Sequence, residues 1–175
     1  YMDSIPMVAI TCNVPQNQLG KDSFQEIDIC GVTMPITKHN FMVRDVAKLA
    51  DTIREAFLIA SSGRPGPVLI DIPKDITSAV TEYTPVPGGK LDPSKFSEKS
   101  EAARLMETSM PSDEEIAKLA EMINASERPF IYAGGGVTIS NACPELLSLA
   151  EKAKIPVALS LMGKAAFPNS HELCT

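Results

Sequence analysis

The stretch Gly63-Arg64-Pro65-Gly66-Pro67-Val68-Leu69-Ile70-Asp71-Ile72-Pro73-Lys74-Asp75 constrains the fold more than any other part of the chain. Gly63 follows an apolar-periodic segment, where a helix end favours a glycine in the left-handed conformation. Pro65 and Pro67 then prevent the helix from resuming. Val68 to Ile72 is a short apolar run rich in β-branched residues, the pattern of a strand covered on both faces. An aspartate inside such a run, Asp71, needs a partner at the strand's carboxyl end. Pro73 has no N–H to give and closes the ladder.

The segments before this stretch lead up to it. Pro6 to Thr11 reads as a buried strand, and Cys12 to Gly20, with Pro15 and Gly20, as a loop leaving its carboxyl end. In open α/β sheets that edge is where ligands bind. Ser23 to Cys30 suggests one or two helical turns, and Val32 to Ile36 a brief extended segment leading to Thr37-Lys38-His39-Asn40. Asp45 caps a helix in which Val46, Leu49, Ala50, Ile53, Ala56, Phe57 and Ala60 form one apolar stripe. Strand, loop, helix and strand in this order predict part of a parallel α/β domain over residues 1–76.

Residues 77–111 hold Pro85, Pro87, Gly88, Gly89, Pro93 and Pro111 with little periodic apolar content, which predicts an interdomain linker. A second α/β domain is expected over 112–175. Ser112-Asp113-Glu114-Glu115 is a capping box, and Ile116, Leu119, Ala120 and Ile123 form the stripe of the helix it starts. Pro129 to Ala133 reads as a strand, Ala142 to Ala153 as a helix with Pro144 in its first turn, and Ile155 to Leu161 as another strand.

Composition excludes several classes. The 175 residues carry a net charge of -6, against the basic face that nucleic-acid binding requires. No apolar run approaches the roughly 20 residues that span a bilayer. Tyr1 is not an initiator residue, so a longer parent chain is expected. Cys12, Cys30, Cys143 and Cys174 have no C-x-x-C spacing, and with only two histidines beside them they do not suggest a zinc site. Scattered thiols in an acidic chain without a leader point to the reducing cytoplasm.

Gly134-Gly135-Gly136 is the strongest local chemical signal. A glycine run between strand and helix lets a phosphate reach backbone N–H groups at the positive helix end. The run is not G-x-G-x-x-G, so a dinucleotide fingerprint is unsupported, and a tight turn without a ligand accounts for it equally well. Phe24, Gln25 and Lys38 lie where a substrate pocket could form. Core packing for Phe24 and a solvated surface charge for Lys38 are the simpler alternatives. No nucleophile–base pair or carboxylate dyad is legible from spacing.

Taken together, several segments resemble the catalytic large subunit of acetolactate synthase (acetohydroxyacid synthase), a thiamine-diphosphate enzyme. They are Tyr1 to Val8, Asp22-Ser23-Phe24-Gln25-Glu26, Met34-Pro35-Ile36-Thr37-Lys38-His39-Asn40, Arg64 to Asp75, and Leu161-Met162-Gly163-Lys164 with Phe167-Pro168. The proline–glycine stretch and the strand after it are shared widely among thiamine-diphosphate enzymes. The Phe-Gln-Glu and Thr-Lys-His-Asn segments narrow the resemblance.

This resemblance implies parts of two flavodoxin-like, Rossmann-like parallel-sheet domains. One would be the end of a domain for the thiamine pyrimidine, the other the start of a central FAD domain. The implied reaction condenses two pyruvates, or pyruvate and 2-oxobutyrate, with release of CO2, at the start of branched-chain amino-acid synthesis. Phe24 and Gln25 would stand near the thiazolium, Lys38 in the substrate channel and Pro15 at its mouth. Gly134, Gly135 and Gly136 would hold the FAD diphosphate, with Leu161 and Met162 along the flavin. FAD would be structural.

The activating glutamate of the family lies upstream of Tyr1 and the Mg2+ and diphosphate segment far downstream, so this stretch alone is expected to be inactive. Implied partners are the 2-oxoacids, a second copy in a homodimer or homotetramer, and a regulatory small subunit. Cys12-Asn13 stands where the family usually has Gly-Gln, and Gln16-Asn17 replaces a commonly basic or small pair. Two other readings keep different chemistry: a sister carboligase such as glyoxylate carboligase or sulfoacetaldehyde acetyltransferase, and a non-catalytic nucleotide-binding or assembly module.

Overall fold

The structure, a computed structural model, describes residues 1–86 and 110–175. The chain divides into two compact units, Tyr1–Ser109 and Met110–Thr175. Most of the linker expected over 77–111 falls on residues 87–109, outside the described residues.

The first unit is built on a three-stranded parallel sheet of β1 (Met7–Asn13), β2 (His39–Met42) and β3 (Pro67–Pro73), in the order β1-β3-β2. The constraining stretch therefore supplies the middle strand. Its register runs from Met7 opposite Pro67 to Asn13 opposite Pro73, and on the other side from His39 opposite Val68 to Met42 opposite Asp71. All seven residues of β3 are buried, as a strand covered on both faces requires.

Helix α1 spans Ile29–Thr33 and α2 spans Leu49–Ser61. Val68, Ile70 and Ile72 pack with Ala56, Ile59 and Ala60 of α2, joined by Val43 and Ile76. Side chains of this size contribute roughly 2–3 kcal/mol each when fully buried. Helix α2 ends as its sequence dictates: Gly63, just beyond the cap at Ser62, sits at φ +52°, a conformation that side chains with a Cβ disfavour. A short helix, α3 (Lys74–Ser78), leaves the carboxyl end of β3.

Several local expectations are corrected. The strand expected over Pro6 to Thr11 runs on to Asn13, so Cys12 and Asn13 belong to β1 and not to the following loop. The helical turns expected over Ser23 to Cys30 start only at Ile29, where the Asp28 side chain accepts from the Gly31 N–H. Met34–Ile36 is a 3-10 turn and not an extended segment, because proline is tolerated in the first turn of a helix. The strand β2 was not legible at all, since its residues are a polar pair followed by Phe41 and Met42 and its partner is remote in sequence. Asp45 caps a 3-10 turn, Val46–Lys48, that feeds α2, accepting from the Ala47 N–H.

The second unit opens with α4 (Asp113–Ala125), which carries the full capping box: Ser112 Oγ accepts from the Glu115 N–H, and the Glu115 carboxylate accepts from the Ser112 N–H. No residue of α4 is buried, so its apolar stripe lies largely open. Strands β4 (Ile131–Ala133) and β5 (Val157–Leu159) pair in parallel, with α5 (Gly135–Ile139) and α6 (Cys143–Ala153) between them. Both strands are shorter than expected. Ala133, Ala150, Val157 and Phe167 form the core. Residues 173–175 add a parallel bridge between Cys174 and Val157, which the sequence did not suggest.

A Cβ added at Gly163 would lie 2.5 Å from the Ala133 carbonyl oxygen and 3.1 Å from the Gly134 carbonyl carbon, so backbone meets backbone there. A Cβ at Gly136 would meet nothing within 4 Å. Gly163→Ala is therefore expected to destabilise the second unit by about 1–3 kcal/mol. Gly136→Ala, within the short helix α5, should be neutral or gain up to about 0.5 kcal/mol. Denaturant midpoints of the two variants check the contrast, and equal midpoints would refute the packing account.

Candidate active site

Strands of a parallel sheet present the same end together, and the loops leaving that end converge. At the carboxyl edge of the first sheet, Cys12, Asn13, Val14, Pro15, Gln18, Phe24, Gln25, Lys74 and Thr77 enclose a concavity of about 450 Å3. The structure thus brings three of the sequence candidates, Pro15, Phe24 and Gln25, to one place.

Asn13 ties this place to the sheet. Its Nδ2 donates to Asp71 Oδ2 at 2.8 Å and to the Ile27 carbonyl at 3.0 Å, while its Oδ1 accepts from the Val14 N–H at 2.9 Å. Thr11 Oγ1 donates to the other Asp71 oxygen at 2.8 Å. The fully buried Asp71 therefore has its partners, as its place in an apolar strand demands. A second tie links the loop after β1 to α3: Asp75 accepts from the Gln16 N–H at 3.0 Å and from Gln16 Nε2 at 2.9 Å. Desolvation by its neighbours draws the exposed Asp75 carboxyl upward, but these bonds outweigh it and hold the group below the usual carboxylate range.

Two features of the concavity are unusual. Phe24 is 88% exposed, so it packs into no core formed by the described residues. Gln25 sits at φ +63°, a strained conformation for a residue with a Cβ, and such strain concentrates at functional sites. Among the described residues, Lys74 supplies the one full charge of the lining, and no carboxylate lines the concavity. Sequence reasoning missed Lys74. The signal was present, since Lys74 is the first residue past the strand that ends at Pro73, at the ligand-binding edge.

Lys38 lies apart from the other candidates. It precedes β2, and its N–H donates to the Pro67 carbonyl at the start of β3. Parallel pairing therefore puts it at the amino edge of the sheet, roughly 20 Å from the concavity along a seven-residue strand. Its Nζ donates to the carbonyls of Ile59 at 2.5 Å and Ser62 at 2.7 Å, and its stem lies where a Cβ on Gly66 would be. These are carbonyls that the end of α2 leaves without helical partners. Burial lowers the Lys38 pKa from the ordinary lysine value. Lys38 is neither a solvated surface charge nor a companion of Phe24 and Gln25; it seals a helix end.

The remaining candidates gather at the carboxyl edge of the second sheet. Gly134 is the extended residue before α5, and the 3-10 turn Leu161–Gly163 leaves β5. The two loops touch: a Cβ at Gly135 would lie 3.1 Å from Met162 Cβ, and the Ser160 N–H donates to the Ala133 carbonyl at 2.9 Å. Leu161 and Met162 are 78% and 52% exposed. Gly135 is thus explained by packing between loops, whereas Gly136 faces open space.

Comparison with known proteins agrees with this architecture. The family model described as thiamine pyrophosphate enzyme, central domain, matches residues 116–175. The chain is 47% identical over 175 residues to a probable acetolactate synthase large subunit of Methanocaldococcus jannaschii, covering 99% of the chain and 28% of that protein. It is 45% identical over 172 residues to the acetolactate synthase large subunit of Parasynechococcus marenigrum, covering 98% of the chain and 26% of that protein. It is 44% identical over 172 residues to the acetolactate synthase isozyme 1 large subunit of Escherichia coli, covering 98% of the chain and 28% of that protein. The chain therefore spans about a quarter of the length of the curated relatives it matches, and similarity of this extent runs through both units. Nearly the whole chain is thus similar to part of acetolactate synthase large subunits, and its residues 116–175 match the central domain of thiamine pyrophosphate enzymes.

Proposed function

We propose that this chain contributes to an acetolactate synthase, which joins two pyruvates, or pyruvate and 2-oxobutyrate, with loss of CO2. The observation that carries the reading is the lining of the concavity: a single cation, Lys74, an exposed aromatic ring, Phe24, and a strained amide, Gln25, with no carboxylate among the described residues that line it. Such a lining suits a small anionic substrate. The Lys74 ammonium would hold a 2-oxoacid carboxylate, the Gln25 amide would hydrogen-bond to the reacting oxygen, and the Phe24 ring would exclude water. Pro15 would stiffen the rim.

Thiamine diphosphate, when bound, would supply the electron sink for decarboxylation. Residues 1–76 would serve its pyrimidine end and residues 112–175 would begin the FAD domain, with Mg2+ held elsewhere in the protein. The fit to FAD rests on Gly136, the one glycine of the run with both an open face and an N–H in the first turn of α5. Leu161 and Met162, exposed beside it, would contact the flavin. Assembly as a homodimer or homotetramer, with a regulatory small subunit, belongs to the same reading, as does a cytoplasmic location. Among the described residues no helix is long and apolar enough to cross a membrane.

Product analysis of the full-length protein carrying this chain, with pyruvate, thiamine diphosphate, Mg2+ and FAD, should show acetolactate. Lys74→Ala should lower kcat/KM at least about tenfold, the worth of one charge-assisted contact, with most of the effect in KM. Lys38→Ala should keep the activity of the folded protein and lower its melting temperature. Decarboxylation without acetolactate, or an unchanged KM in Lys74→Ala, would overturn the assignment.

A further inference from the structure

The strained loop of the concavity needs something to hold it. Between Gly20 and Gln25 three residues lie in the left-handed region: Gly20 at φ +73°, Asp22 at +53° and Gln25 at +63°. Two of these are not glycine, so the backbone has no local reason to keep this path. Phe24 is too exposed for its burial to anchor the loop. What converges on the loop is the carboxylate of Glu26. Its Oε1 accepts from the Gly20 N–H, and its Oε2 accepts from the Ser23 N–H at 2.8 Å and the Lys21 N–H at 3.3 Å. The Glu26 N–H itself donates to the Ser23 carbonyl at 3.0 Å.

The loop is tied upstream to the 3-10 turn Gln16–Gln18 and downstream to the sheet edge. Upstream, Ser23 Oγ donates to the Gln18 carbonyl at 3.0 Å. Downstream, the Ile27 carbonyl accepts from Asn13, which is bound to Asp71. Glu26 lies between these ties, and its acceptors gather three backbone donors that would otherwise point to water. The N–H groups of Ser23 and Gly20, foremost among its contacts, hold its carboxyl below the ordinary glutamate range, so the ionised form is the one bound.

We propose that Glu26 is a positioning residue, whose carboxylate fixes the Gly20–Gln25 loop so that Phe24 and Gln25 line the concavity. The role of that loop in turnover rests on the reading of the concavity as the reacting site. Glu26 is not among the residues that line the concavity and acts through the loop's N–H groups and Ser23.

The test uses the full-length protein with Glu26→Gln, Gln25→Ala and the double variant. Glutamine keeps the size of Glu26 but replaces one acceptor oxygen by a donor, which cannot take the N–H bonds. Amide exchange should show protection at Lys21 and Ser23 falling at least about tenfold, with the melting temperature nearly unchanged. The turnover number should fall roughly tenfold in Glu26→Gln, with the double variant losing no more than the worse single variant, because both changes remove one positioned group. Unchanged protection would overturn the proposal, and so would losses that multiply in the double variant. Glu26→Ala, read the same way, keeps the test open if the glutamine variant folds poorly. A wild-type protein that makes no acetolactate would sink the proposed reaction, while exchange at Lys21 and Ser23, which needs no substrate, still decides whether Glu26 holds the loop.

Discussion

The first unit depends on a carboxylate placed inside its middle strand. Asp71 has no exposed surface, and a carboxyl group there is tolerable only with hydrogen-bond partners. Thr11 and Asn13 of β1 donate to its two oxygens, and the Val43 N–H beyond β2 donates to its backbone carbonyl. One residue thereby fixes both neighbours of β3. Slipping β1 by one residue would turn Thr11 and Asn13 to the other face and strand the carboxyl group, so the polar contacts specify the register that apolar packing alone would leave open. Asn13 then carries this order outward to Ile27 and Val14, where the sheet gives way to the concavity.

The two ends of the sheet divide the chemistry. Lys38 and Lys74 are both lysines beside a strand, yet one precedes β2 and the other follows β3. In a parallel sheet that difference of order is a difference of edge. At the amino edge Lys38 meets the open carbonyls at the end of α2 and becomes part of the frame. At the carboxyl edge Lys74 meets loops and, among the described residues, no acidic neighbour in the lining. The same logic governs the second sheet, where Gly163 and Gly135 are consumed by loop packing and Gly136 is left open.

Local chemistry was legible where the cause was local. The capping box at Ser112, the stop at Gly63 and the apolar run of β3 each follow from neighbours in the chain, and the structure contains each of them. The segment from Ser23 to Met42 was read poorly because its shape comes from elsewhere. His39–Met42 is a strand because β3 offers it a ladder, and its own residues favour no strand strongly. Met34–Ile36 took a 3-10 turn where Pro35 had suggested an extended path. The candidate site was half legible: Phe24, Gln25 and Pro15 do meet, but Lys38, grouped with them, lies at the other edge of the sheet, where strand order and not local sequence puts it.

By itself the sequence determined the alternation of strands and helices, the parallel α/β class and the residues at which elements stop. These are set by hydrophobic period, caps and proline, all of which act within a few residues. Tertiary structure decided which charges and strained residues share a pocket. The concavity draws on residues 12–15 and 18, 24–25, and 74 and 77, separated by as many as 65 positions and joined by the pairing of β1 with β3. Their meeting depends on strand order and register, and those are settled by the burial of β3 and the partners of Asp71, not by any property that one segment displays alone.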